Sequence, residues 1–132
     1  MNRSLFVPAL MALLIVVTAG CASGPRVYEV TGTVTLDGDA LSEGYITFIP
    51  EDKEFGSEAA KVVDGKYTVK IKGGKQKVEI RATRVVPGKK DPMGTGGDVK
   101  ENYIPERYNL KTELSAEVGE GKTEHSFPLK SK

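Results

Sequence analysis

Apolar and polar positions divide the chain into one unbroken greasy run and a long stretch of alternation. Residues 5–17 are almost wholly apolar. From residue 27 the period is two: Tyr28, Val30, Val34 and Leu36 fall on one side, and Glu29, Thr31, Thr33 and Thr35 on the other. That is the pattern of a half-buried strand. Gly32 falls in the apolar register and predicts a bulge or a close neighbour. After a turn at Asp37-Gly38-Asp39, a second strand is expected over 45–50 with Ile46 and Phe48 inward, then an acidic loop over 51–58. Asp64-Gly65 between two strand-like runs predicts a two-residue type I′ hairpin. Its register sets Val63 opposite Lys66, Val62 opposite Tyr67 and Ala60 opposite Val69. Gly73-Gly74 predicts a second hairpin, setting Lys72 opposite Lys75, Val69 opposite Val78 and Tyr67 opposite Ile80. Both registers gather the apolar residues on one face, so a three-stranded meander is expected over 59–84.

Residues 87–103 contain Pro87, Gly88, Pro92, Gly94, Gly96 and Gly97 and show no period. They are expected to form a loop, a long one for so small a domain. Beyond it, Leu114, Ala116 and Val118 are in step, Gly119-Glu120-Gly121 turns, and a last strand over 122–129 carries His125, Phe127 and Leu129 in one register. Pro128 cannot donate to a ladder, which predicts an edge on its side of that strand. Nothing after the apolar run has a helical period. Seven short strands separated by turn residues describe an all-β chain, a seven-stranded β-sandwich.

The apolar run gives the domain organisation. Arg3 precedes it and Thr18-Ala19-Gly20 follow it, the layout of a secretory signal. The run is shorter than the roughly 18 to 20 residues of a membrane-spanning helix. Cys21, the only cysteine, comes directly after the small residues. Thr-Ala-Gly-Cys resembles the lipobox of bacterial lipoproteins, with Thr18 where leucine is commonest. The resemblance implies acylation of Cys21, palmitate being the usual chain, and a membrane-anchored protein of the bacterial cell envelope facing the periplasm or the exterior. The expected division is a signal peptide over 1–20, the lipidated cysteine and a tether over 21–26, and one β-sandwich domain over 27–132. Fully extended, residues 22–26 reach about 17 Å.

Gly32-Thr33-Val34-Thr35-Leu36-Asp37-Gly38, Ile46-Thr47-Phe48-Ile49-Pro50 and Asp64-Gly65-Lys66-Tyr67-Thr68-Val69 occur in this order. They resemble the carboxypeptidase regulatory-like, transthyretin-like β-sandwich family. Ile104-Pro105-Glu106-Arg107-Tyr108-Asn109, with Thr112, Leu114 and Val118, is similar to a branch of small bacterial lipoproteins. The resemblance implies a seven-stranded Greek-key sandwich and no active site. In the carboxypeptidases this β-domain accompanies a separate zinc domain, which this chain lacks.

Charge adds a candidate surface. With 19 basic and 18 acidic residues and a net charge of +1, general nucleic-acid binding is not expected. Yet residues 61–90 hold ten basic groups and two acidic ones. In the second hairpin Lys66 would face Arg81, Lys70 would face Lys77, and Lys72 would face Lys75. Like charges in opposition destabilise a sheet. Lys66, Lys70, Lys72, Lys75, Lys77 and Arg81 are therefore a candidate interaction face for an anionic envelope component or an acidic protein, beside the plainer reading of a lysine-rich surface that resists edge-to-edge aggregation.

Catalytic chemistry is sparse. His125 is the only histidine, so no His/Cys zinc set assembles once Cys21 is acylated. No serine sits in a nucleophile-elbow context. Gly94-Thr95-Gly96-Gly97 lacks the lysine of a phosphate-binding loop. The sequence reads as a non-enzyme with no catalytic residue, metal or cofactor. Its alternative is a small-ligand module for carbohydrate or calcium. That module would use the 37–43 turn with Asp37, Asp39 and Glu43, or the 87–108 loop with Asp91, Asp98, Glu101, Tyr103 and Tyr108.

Overall fold

The computed structural model describes residues 24–94 and 96–132. The expected signal peptide and Cys21 lie outside the described residues. The strands are β1 (Val27–Leu36), β2 (Asp39–Ala40), β3 (Glu43–Pro50), β4 (Glu58–Val63), β5 (Lys66–Lys72), β6 (Gly74–Arg81), β7 (Thr83–Lys90), β8 (Asp98–Asn102), β9 (Ser115–Val118) and β10 (Phe127–Leu129), with a single 3-10 turn at Glu106–Tyr108. The large sheet runs β10-β1-β5-β4-β3-β6-β9 with β2 attached to β1, and β7 and β8 form a ribbon of their own. The ladders are antiparallel except β1 with β10.

The large sheet curls until its two halves face each other. β4 lies between β5 and β3 in the strand order, yet the Tyr67 and Phe48 rings of those strands are 5.9 Å apart. Val30, Val34, Tyr67, Val69 and Ile71 from one half share a single core with Ile46, Phe48, Val78, Ile80, Ala116 and Val118 from the other. The chain is all-β and sandwich-like. Burying a side chain the size of Phe48 or Ile80 contributes about 1.5–3 kcal/mol, and with no second cysteine to form a disulfide this core carries the fold.

Period two places the inward residues as expected. Val30 and Val34 of β1, and Ile46 and Phe48 of β3, are fully buried. Asp64 and Gly65 have φ of 50° and 75°, the paired positive angles of a type I′ turn, and Val63 faces Lys66. Gly32 has a close neighbour, since a β-carbon there would overlap the His125 carbonyl. Tyr67 donates its hydroxyl to that same carbonyl at 2.5 Å, and its burial pushes the phenol well above its ordinary range. Pro128 sits in β10, an edge strand of the large sheet.

Two expectations are corrected. The Gly73-Gly74 hairpin does not form. β5 pairs along its length with β1, Val27 facing Lys72 and Val30 facing Val69, and its ladder with β4 stops at Val63 and Lys66, so the expected Val62–Tyr67 and Ala60–Val69 pairs do not form either: Val62 and Ala60 face Gly44 and Ile46 of β3. β6 pairs with β3 and β9, Gly74 facing Val118. The two glycines instead carry the chain from one half of the curled sheet to the other. Gly74 has φ 120°, and a β-carbon on Gly73 would come within 2.9 Å of the Tyr28 ring. A hairpin and such a corner bury the same alternate residues, so alternation cannot separate them. The second correction is the expected loop over 87–103, much of which is the β7–β8 ribbon. Its ladder matches Thr83 with Asn102, Arg84 with Glu101 and Val85 with Lys100, then shifts before Lys90 meets Asp98. Neither strand has a buried residue, so no apolar period marks it.

Candidate functional site

β4 and β5 part company after Val63 and Lys66. At the far end from that turn, a cleft of about 100 Å³ opens, lined by Phe48 and Pro50 of β3, Ile71 of β5 and Gln76 of β6. Val27 forms part of its wall, and Lys70, Lys72 and Glu58 supply its charged groups. Alternation aims Gln76 inward, between Val78 and the corner. The residue is only 2% exposed. Its Nε2 donates to the Lys72 carbonyl at 3.0 Å, while its Oε1 is buried with no hydrogen-bond partner among the described residues. Lys72 lays its ammonium 4.1 Å from the centre of the Phe55 ring in the 51–57 connection.

A second concavity, of about 290 Å³, lies where the ribbon meets the large sheet, lined by Glu43, Tyr45, Arg81, Val85 and Lys100. Tyr45 is 55% exposed there. Glu43 pairs with Lys61 at 3.0 Å, and that hydrogen bond and charge hold its carboxyl below the ordinary value.

The six residues of the expected basic face do not form one. Lys66, Lys70 and Lys72 are on β5, while Lys75, Lys77 and Arg81 are on β6, with β4 and β3 between those strands. The inferred like-charge pairs are absent from the ladders. Lys70 stands opposite Glu29 and Lys75 opposite Glu117, and Arg81 pairs with Glu79 at 3.1 Å. Lys70 and Lys72 line the cleft, and Arg81 lines the groove beside the ribbon. Lys66, Lys72 and Lys77 face the uncharged Thr33, Val27 and Ile49, so the like-charge cost that made the face look functional does not arise.

Several carboxylates proposed for calcium are engaged by the protein. Asp37 accepts the Ser131 backbone N–H at 2.9 Å, and hydrogen bonding from Ser131 lowers its pKa. Asp98 pairs with Lys90 at 2.6 Å and Glu101 with Arg84 at 2.8 Å. Asp91 accepts the Met93 N–H at 2.9 Å. Among the described residues there is no group of three or more His, Cys, Asp or Glu side chains that could hold a metal ion. His125 is half-buried, with Nε2 3.2 Å from the Lys122 carbonyl oxygen. Tyr103 and Tyr108 pack against the core, with the Arg84 and Arg107 guanidinium groups over their rings.

Two residues escaped the sequence reading. Asn109 is 1% exposed and donates from Nδ2 to the carbonyls of Ile80, Ile104 and Pro105 at 3.1–3.2 Å, tying the 104–109 segment to β6. Gln76 is the other. Its signal was available as a polar residue in the inward register of an otherwise alternating strand. Comparison with protein-family models, curated protein sequences and solved structures gives no match.

Proposed function

We propose that this chain is a non-catalytic interaction module of a bacterial cell envelope, anchored to a membrane through acylated Cys21. The observation that carries the reading is the succession of charge, apolar run, small residues and cysteine over residues 3–21, followed almost at once by a strand. Val27 is already paired with Lys72, so a tether that reaches at most about 17 Å joins the anchor to the folded domain. The domain then works close to the membrane surface.

Within this reading the fold is the transthyretin-like, seven-stranded Greek-key type. The support is the path β10-β1-β5-β4-β3-β6-β9, which strings seven strands through the two facing halves. β2 and the ribbon are additions to it. The groove between ribbon and sheet, with exposed Tyr45 beside Arg81 and Lys100, is the contact surface for an envelope partner, because exposed tyrosine and arginine are favoured anchors in interfaces.

Fractionation tests the anchor. The wild-type chain should sediment with membranes and carry added acyl mass, since two or more chains give stable attachment. Cys21→Ser should appear in the soluble fraction without that mass. A serine variant that stays in the membrane pellet at unchanged mass would overturn the proposal.

A further inference from the structure

The large sheet ends on β10 at one side and β9 at the other, and the two edges differ. In β10 the Leu129 carbonyl accepts the Asp37 N–H at 2.9 Å. Phe127 and Leu129 therefore turn their backbone groups toward β1, and Pro128 turns outward. Proline has no N–H to offer, which closes that edge to a further strand. Just ahead of β9 the Leu114 carbonyl accepts the Val78 N–H at 3.0 Å. Backbone groups alternate along an antiparallel strand, so Ala116 and Val118 point at β6 while Ser115 and Glu117 point away. Both are exposed, and an open hollow of about 250 Å³ lies along them, lined by Glu51, Lys75, Ser115, Ala116 and Glu117. This edge is open, and open edges take further strands.

The order of charges along β9 fits it to a copy of itself. Two antiparallel strands exchange hydrogen bonds only if outward residues oppose outward residues. A two-fold axis at Ser115 would set Glu117 against Glu113 of the second copy, and one at Glu117 would set the two Glu117 side chains together. Like charges in opposition are unfavourable. An axis at Val118 would run the pair into the turn closed by Gly119 and Lys122. An axis at Ala116 has none of these faults. Ser115 then faces Glu117 of the second copy, hydroxyl donor against carboxylate, and Leu114 faces Val118, which joins the apolar rows. Ile49, Lys77 and Ser115 already stand in one row across β3, β6 and β9, and Lys77 has no ion pair among the described residues. Glu117 of the second copy supplies the missing carboxylate at the end of that row.

We infer that β9 is the interface of a two-fold dimer of this chain, in which Ser115 and Glu117 exchange backbone hydrogen bonds with Glu117 and Ser115 of the second copy. So short a strand falls well below the roughly 20–30 residues a side of a standard interface, so the dimer is reversible and forms where copies are concentrated. The contact uses neither Cys21 nor the groove beside the ribbon, so it stands apart from the anchor and the partner surface.

Cross-linking in the full chain carrying Cys21→Ser tests it, because each introduced thiol is then the only one. Under mild oxidation Ala116→Cys should give a linked dimer, since Cα atoms at the axis come about 4.5 Å apart, within disulfide range. Ser115→Cys and Glu117→Cys, each roughly 7–8 Å from its counterpart, should link at least about tenfold more slowly. Adding Ser115→Glu to Ala116→Cys sets like charges across the axis and should cut the linked fraction about tenfold, while Ser115→Lys should raise it. In the single copy residue 115 faces Lys77, so stability should move the other way, up with glutamate and down with lysine. If Ala116→Cys fails to fold, the Cys21→Ser chain alone decides: the Ser115 and Glu117 amides should exchange more slowly as protein rises from about 10 μM to about 1 mM. Equal cross-linking at 115, 116 and 117, a linked fraction indifferent to the charge at 115, or exchange at Ser115 and Glu117 independent of concentration overturns the assignment and leaves β9 a solvated edge.

Discussion

The curled sheet and the β7–β8 ribbon are both antiparallel β-structure, but they are held by different forces. In the sheet every long strand turns alternate side chains into one shared core. In the ribbon no side chain is buried, and the named contacts are the Arg84–Glu101 and Lys90–Asp98 ion pairs and the backbone ladder. Apolar burial is worth kilocalories per residue, whereas an exposed ion pair is worth about 0–1 kcal/mol and is screened by salt. The ribbon is therefore carried by the sheet. It can change its contacts without endangering the fold, which suits a surface that meets partners.

Substitutions on the two sides should differ accordingly. Phe48→Ala, at a fully buried site between the halves, should cost about 3–5 kcal/mol in urea unfolding. Val85→Ala, on a ribbon residue 46% exposed, should stay within about 0.5 kcal/mol of wild type. A ribbon substitution as costly as the core one would break the comparison. Asn109→Ala should fall between them, at about 1–3 kcal/mol, because it strips a shared donor from the Ile80, Ile104 and Pro105 carbonyls. Its effect should be unchanged by salt. Arg84→Ala should lower stability by less than about 1 kcal/mol, and the loss should shrink at high ionic strength.

The smallest effect concerns Asp37. Hydrogen bonds from Ser131 lower its pKa below the ordinary 3.8, so the folded state favours the charged form. Its stabilising contribution is present above the ordinary value and is lost as pH falls through the lowered one. Asp37 has φ 53°, a conformation asparagine also tolerates. Asp37→Asn should therefore melt slightly below wild type at neutral pH, and the gap should close as pH falls through that lowered value.

The same difference in forces explains what the sequence disclosed. Alternation located the seven strands of the sheet's main path because burial writes a period of two into Val30 and Val34, Ile46 and Phe48, Val78 and Ile80. It could not assign partners. Gly73-Gly74 suits a hairpin turn and a corner equally, and the inward face is the same in both. Reading a hairpin there aligned Lys70 with Lys77, when Lys70 in fact faces Glu29. The ribbon was invisible because two-sided exposure leaves no apolar period, only glycines such as Gly88, Gly94 and Gly96 at φ between 75° and 78°. Gln76 was legible in principle, as the one polar side chain among the inward residues of β6, but its missing partner emerges only from the packing around it.

Native-state hydrogen exchange on the full chain tests most directly the claim that the sheet holds the molecule and the ribbon is carried by it. Amides of Val30, Ile46, Val69 and Val78 should exchange only through global unfolding, and those of Val85, Lys90 and Lys100 through openings that cost far less. The ribbon amides should stay fast when the sheet is stabilised further. Equal protection of ribbon and sheet amides, rising and falling together with global stability, would contradict the account.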